Sequence, residues 1–282
     1  MALALSNRFI CMNCGLQHDE VSQVPSRCLN CSDERESMTH KSQRWTTLGE
    51  MQGHYRNVFT PLGEGVTGLT TTPAFGIGPE VFLIQTPAGN VLWDCFAYLD
   101  ETTVQQIAAI CKLSAIVISH PHMFGSVVEW SYALGGVPVF IHQDNQPWMP
   151  RLDPVIRWWQ GESFVVNAAL TAIRCGGHFP GSSLLHWPGG AGGKGALFTG
   201  DGILPVEDRR WVSFMYSYPN LIPVSRRGVE KIVAAITPLK FDRIYGGPMY
   251  GSGGGRPIIE SGAKDVVLRS AKRYIEHMEQ SW

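Results

Sequence analysis

Two sets of residues in this chain have the type and spacing to hold metal ions. Cys11-Met-Asn-Cys14 and Cys28-Leu-Asn-Cys31 are C-x-x-C pairs with 13 residues between them. Each pair makes a tight turn that aims two thiolates at one point, and two such turns complete a tetrahedral all-sulfur site. The gap falls just under the usual range for paired zinc knuckles. Structural zinc on Cys11, Cys14, Cys28 and Cys31 is the expectation, with rubredoxin-type iron the minor alternative and a pair of redox dithiols the metal-free one. The second set is His120-Pro-His122, His178 and Asp201. His-x-His puts two imidazoles on one loop, and a third His and a carboxylate would complete a compact site of three nitrogens and one oxygen.

These side chains need elements to position them. Ala115-Ile-Val-Ile-Ser119 is a continuous apolar run, as in a strand buried on both faces, and it ends at His120. Leu170 to Arg174 reads as a strand ending at Gly176-Gly-His178. Gly195 to Thr199 reads as a buried strand ending at Gly200-Asp201, and Phe241 to Tyr245 as one ending in Gly246-Gly247. Glu80 to Asp94 has the pattern of a hairpin around Pro87-Ala-Gly-Asn90, and Pro138 to His142 is a further strand. Helical spacing occurs at 104–111, 127–134, 225–236 and 262–279, with Ser225 an N-cap. Residues 41–60 read as a linker running into a short helix. Polar residues at strand ends along one sheet rim are where α/β proteins build sites.

In this order the residues resemble the metallo-β-lactamase fold superfamily over about residues 65–250. Ile118-Ser-His-Pro-His122 matches the first half of that family's H-x-H-x-D-H motif. Gly177-His-Phe-Pro-Gly-Ser182 matches its G-H-T-P-G-S, with Phe for Thr, and Leu197-Phe-Thr-Gly-Asp201 matches the strand of its bridging aspartate. Val91-Leu-Trp-Asp94 matches an early strand ending in Asp. The resemblance implies a four-layer αββα sandwich in an α/β chain, preceded by a small four-cysteine zinc ribbon. The expected division is a ribbon over 1–40 and a metallo-β-lactamase-like domain over 41–282.

The departures are selective. The family's Asp and His after the H-x-H stand here as Phe124 and Gly125, and its late His stands as Gly247. Those side chains serve the family's second metal, so the resemblance implies one ion on His120, His122, His178 and Asp201. Zinc is expected there, with iron second. The expected reaction is hydroxide attack on an ester, lactone, amide or thioester carbonyl, with Asp201 or Glu129 handling the proton. Asp94 and His186 are expected to support the ligands by hydrogen bonds. Phe124, Trp211, Tyr216 and Tyr218 are expected as walls around a small-molecule substrate. A non-catalytic binding protein on a degenerate scaffold, and an Fe dioxygenase acting on thiols or persulfides, are the competing readings.

Composition bounds the rest. Against 24 Asp+Glu stand 23 Lys+Arg, a net charge of −1, which argues against a nucleic-acid-binding surface. The ribbon carries only Arg8, Arg27, Arg35 and Lys41 near its end, too few to compete with salt on DNA. The seven Cys cannot all pair within one chain, so a cytoplasmic metalloprotein fits better than a disulfide framework. Cys95, Cys111 and Cys175 are expected as inert thiols, and His142 as structural. No signal peptide or membrane span is expected. A homo-oligomer is compatible with the sequence.

Overall fold

The computed structural model describes residues 6–19, 22–36, 42–247 and 258–279. Lys41, Pro248 and the Gly-rich stretch 251–255 lie outside the described residues, as does the expected domain boundary at 40/41.

Two sheets form the centre. One has seven strands, in the order Arg56–Gly63, Val66–Thr72, Val81–Ile84, Asn90–Trp93, Leu113–Val117, Val139–His142 and Ile156–Trp159. Its first pairings are antiparallel and its last three parallel. Parallel neighbours need crossovers, and the helices Glu101–Ile110 and Val127–Ala133 provide two of them. The other sheet runs Ser163–Val165, Thr171–Arg174, Ser183–Trp187, Ala196–Phe198, Arg243–Tyr245, Ile258–Ile259. Among the described residues its one parallel pair is Ala196–Phe198 with Arg243–Tyr245.

The burial pattern gives the layers. Phe82, Val91, Trp93 and Val117 of the first sheet meet Ala172, Leu185, Phe198 and Tyr245 of the second in one buried cluster. Burying side chains of this size contributes about 1.5–3 kcal/mol each. The outer face of the second sheet, with Leu184, Leu197 and Ile244, is covered by helices Arg226–Ile236 and Ala263–Glu279. Ser225 caps the first of these by accepting from Gly228 N–H at 3.3 Å. The outer face of the first sheet, with Leu83, Leu92 and Ile116, is covered by Ile107, Val127 and Trp130. The result is the four-layer αββα sandwich.

The cysteine-rich segment packs onto the first outer layer. Ile10–Cys11 pairs antiparallel with Trp45–Thr46. Cys11, Cys14 and Cys28 belong to the same buried cluster as Leu92, Ile118, Phe124 and Trp130. The short helix expected within 41–60 is Leu48–Met51, closed at its start by a capping box of Thr47 and Glu50. The strands Arg56–Gly63 and Val66–Thr72 escape the sequence reading because few of their residues are buried in an alternating pattern. Among the described residues no helix is long and apolar enough to cross a membrane.

Candidate metal centres

Parallel pairing brings the strand ends to one rim. Trp93 lies opposite Val117, so Asp94 and Ser119 leave the sheet side by side. Asp94 N–H donates to the Val117 carbonyl at 2.8 Å, and Asp94 Oδ1 accepts from Ser119 N–H at 2.7 Å. Asp94 adopts φ +68° there, and its carboxyl organises the turn that presents His120. In the other sheet Phe198 lies opposite Tyr245, so Asp201 and Gly247 emerge together. Ser183 N–H donates to the Ser119 carbonyl at 3.0 Å and ties the two rims.

His120, His122, His178 and Asp201 meet at this junction, with one donor atom from each within 4.8 Å of every other. His178 Nε2 lies 3.2 Å from His122 Nδ1 and 3.9 Å from Asp201 Oδ2. His120 Nε2 lies 3.4 Å from Asp201 Oδ2. The site is closed: the four residues are 1%, 4%, 1% and 8% exposed. His178 Nδ1 contacts the Tyr216 carbonyl at 2.9 Å, which requires the proton on Nδ1 and turns the Nε2 lone pair inward. His120 Nδ1 contacts Ser119 Oγ at 2.8 Å.

The electrostatics suit a cation. Burial, then the neighbouring imidazoles, hold His122 well below the ordinary histidine range; burial and His120 push His178 to about 3. Both are therefore neutral donors at pH 7. Burial raises Asp201, but the neighbouring His120 outweighs it and keeps the carboxyl below its usual range. Burial pushes Asp94 up to about 7. Buried His120 Nε2, one of the site's donor atoms, has no hydrogen-bond partner. Such an orphan costs about 1–3 kcal/mol unless something completes it. Donors sharing a zinc at 2.0–2.2 Å in a tetrahedron stand about 3.3 Å apart. The observed spacings fit that group.

Cys11, Cys14, Cys28 and Cys31 form the other candidate centre, their sulfurs likewise within 4.8 Å of one another. Cys14 and Cys28 Sγ are 3.4 Å apart, and Cys11 and Cys31 Sγ 3.5 Å. Hydrogen bonds from Cys11, Cys14 and Cys31 drive Cys28 far below the ordinary thiol range. Four sulfurs converging in this way suit a soft cation.

No protein-family profile matches the chain. Solved structures similar to it are metallo-β-lactamases. VMB-1 aligns with TM-score 0.57 at 10% identity over 79% of this chain and 98% of its own. The metallo-β-lactamase from Pontibacter korlensis gives 0.55 at 14%, over 80% and 100%. FIM-1 from Pseudomonas aeruginosa, in a mono-zinc form, gives 0.54 at 15%, over 78% and 96%. The fold is the metallo-β-lactamase fold. The uncharacterized protein YmaE of Bacillus subtilis (strain 168) is 42% identical over 270 residues, covering 95% of this chain and 96% of YmaE. The chain belongs to the YmaE family.

In this YmaE relative, of the positions to which the resemblance assigns second-metal ligands, Gly125 is shut by backbone and Gly247 is crowded by a side chain. Gly125 sits at φ +50°, and a Cβ there would lie 2.4 Å from the Phe96 carbonyl carbon. A Cβ at Gly247 would meet Asp201 Oδ1 at 2.6 Å. Phe124 is not a wall of the site as expected: it is buried in the outer apolar cluster with Cys14, Leu16 and Trp130.

Other expected residues of the YmaE relative divide. Tyr218 borders the site: its ring centroid lies 5.6 Å from that of His178, and its hydroxyl donates to the Asp201 carbonyl at 2.8 Å. Tyr216 supplies the carbonyl on His178. Glu129 is not brought to the imidazoles: its carboxylate pairs with Arg151 at 2.5 Å. Trp211 lies under the guanidinium groups of Arg269 and Arg273 on the last helix. His186 Nε2 contacts the Lys240 carbonyl at 2.8 Å, because its place on Ser183–Trp187 sets it beside the loop before Arg243–Tyr245. His142 is held at both ring nitrogens by local backbone, as a structural histidine is.

Sequence reasoning missed the segment Asp33–Glu36, which in this YmaE relative closes the site. Arg35 Nε donates to the His178 carbonyl at 2.7 Å. Its guanidinium lies 4.5 Å from the Phe179 ring centroid and 4.3 Å from that of Tyr216. Asp33 accepts from Trp148 Nε1 at 2.8 Å, and the Arg35 carbonyl accepts from Ser217 Oγ at 2.6 Å. Tyr216 donates its hydroxyl to Glu34. Glu36, 1% exposed, places Oε1 3.4 Å from His122 Nδ1. A run of charged residues after a knuckle reads as solvated surface, so no local signal marks it.

Proposed function

We propose that this chain is a metal-dependent hydrolase using one zinc ion on His120, His122, His178 and Asp201. Its substrate is a small molecule with an ester, lactone, amide or thioester carbonyl. The observation that carries the reading is the convergence of three imidazoles and a carboxylate within 4.8 Å in a buried junction. That FIM-1, of the same fold, has a mono-zinc form supports a single ion. When bound, zinc supplies a water of pKa about 7 and a Lewis acid for a carbonyl oxygen.

The chain's own residues do the rest. Ser119 and the Tyr216 carbonyl fix two rings with their Nε2 atoms inward. Asp201, held ionised, uses Oδ2 beside the imidazoles and keeps Oδ1 toward Gly247, where it can take a proton from an attacking water. Tyr218 and Phe179 keep bulk water away from His178. A groove of about 1110 Å³ runs between the His178 loop and helix Arg226–Ile236; Gly176, Gly177, Tyr216 and Arg227 help to line it. None of His120, His122, His178 and Asp201 lines it.

Element-specific metal analysis tests this. Two ions per chain are expected in the wild type and one in His120→Ala. Hydrolysis across an ester and lactone panel should exceed that of His120→Ala. Metal at the cysteine site alone, with no activity on added zinc, would overturn the reading.

A further inference from the structure

We propose that the groove between strand Thr171–Arg174 and helix Arg226–Ile236 binds an aliphatic carboxylate, with Arg227 and Lys231 receiving its charged end. The groove measures about 1110 Å³. Ligand pockets commonly hold about 300–1,000 Å³, so a small molecule has room in it. Its place follows from the sheet. Phe164 and Ala172 pack in the inner cluster, so Ser163 and Ile173, opposite each other in register, face outward. The two long helices cover Leu184, Leu197 and Ile244, and Ile173 stays outside that cluster. The strip left uncovered becomes one wall of the groove, and Val224, Pro238 and Leu239 add apolar surface.

The charge on the other wall is unanswered. Arg227, Lys231 and Ala235 follow one another at helical i, i+4 spacing and line the groove together. Val229, Ile232 and Ile236 take the buried face of the same helix. Arg226, the neighbouring cation, turns instead to Glu230 at 2.8 Å and to Glu279. Arg174 on the strand side is answered by Asp144 at 2.6 Å and Glu162 at 3.2 Å. Among the described residues neither Arg227 nor Lys231 is in an ion pair. Like charges at i, i+4 repel, and an anion between them relieves that repulsion. An arginine fork takes both oxygens of a carboxylate, and an ammonium adds a point charge. The apolar surface alongside suits a hydrocarbon chain on that carboxylate. Gly176, Gly177 and Tyr216 also line the groove, so the chain would lie against supports of His178 while touching none of the four donors.

Calorimetric titration of full-length, metal-loaded protein with decanoate tests this. Saturable binding below about 1 mM is expected, weakening as salt rises. Acetate, which lacks the chain, and decyltrimethylammonium, which reverses the charge, should not saturate in that range. The Arg227→Gln, Lys231→Gln double variant should bind decanoate about 10-fold more weakly. Ala234→Trp, at an exposed position lining the groove, should block it. Absence of saturation by decanoate would overturn the proposal. So would equal affinity in the double variant, equal binding of decyltrimethylammonium, or decanoate binding that survives Ala234→Trp. Metal content is measured separately, so the hydrolase reading stands or falls on its own test.

Discussion

Arg35 Nε donates to the His178 carbonyl at 2.7 Å, linking the segment just past Cys31 to a donor of the other metal set. The two centres are therefore one mechanical unit. Arg35→Ala should cost about 1.5–3 kcal/mol, the usual range for a hydrogen bond to a charged group. Arg35→Lys should recover only part, since an ammonium does not reproduce the flat stack between Phe179 and Tyr216. Urea unfolding midpoints of the three proteins measure this. Equal midpoints would show that the link bears no load.

Emptying the cysteine centre should be felt at the histidines. Cys28→Ser removes one of the four converging sulfurs. Asn30 and Arg35 then lose the frame that aims them at Pro121 and His178. We expect metal affinity at the His/Asp centre to fall by at least about 10-fold, as when supporting contacts of a metal site are cut. Competition with a chelator reads this. An unaltered second affinity would separate the two centres.

Acid should loosen the metal-free His/Asp site in a defined window. His178 is pushed to about 3 by burial, whereas an unfolded histidine titrates near about 6.5. Between those values the unfolded chain binds the extra proton, so stability rises with pH across the window. Its contribution is fully present above about 6.5 and is lost progressively as pH falls toward about 3. Unfolding midpoints at about pH 4.5 and about pH 7, with only the cysteine centre loaded, should differ more in the wild type than in His178→Gln. Equal pH dependence would contradict the assignment.

Restoring the second metal site by substitution should fail at Gly125. Any side chain there meets the Phe96 backbone and must hold φ +50°. Gly125→Ala should cost about 3 kcal/mol or more, by strain and by collision with backbone that has no room to yield. Thermal unfolding gives the answer. A Phe124→Asp, Gly125→His, Gly247→His triple variant should gain no further ion by metal analysis.

The sandwich was legible because its central strands announce themselves. Ala115 to Val117 is apolar on both faces, and Ala196 to Phe198 likewise, so each strand end and the polar residue after it could be located. The four converging donors follow from those ends and from the resemblance. Glu36 and Arg35 were not legible. The carbonyl that Arg35 Nε meets lies 143 positions away, and periodicity carries no information about pairings at that range. Trp211 is placed by the same kind of distant pairing: Arg269 and Arg273 of the last helix lie over its ring, which lines a separate groove with Arg273 and Tyr274. Glu129, on the helix that follows the His-x-His loop, faces Arg151 because the helix turns it away from the rim.

The contact between Ser217 Oγ and the Arg35 carbonyl spans 182 positions. A ribosome adding about 5–20 residues per second leaves the early arm waiting roughly 10–40 s for its clasp. All four cysteines are outside the tunnel long before Asp201 is made. The two ions would then be taken up in order, sulfur centre first on a nascent chain and nitrogen–oxygen centre at completion. Early metal shortage would therefore strike the His/Asp centre through a ligand set it does not share.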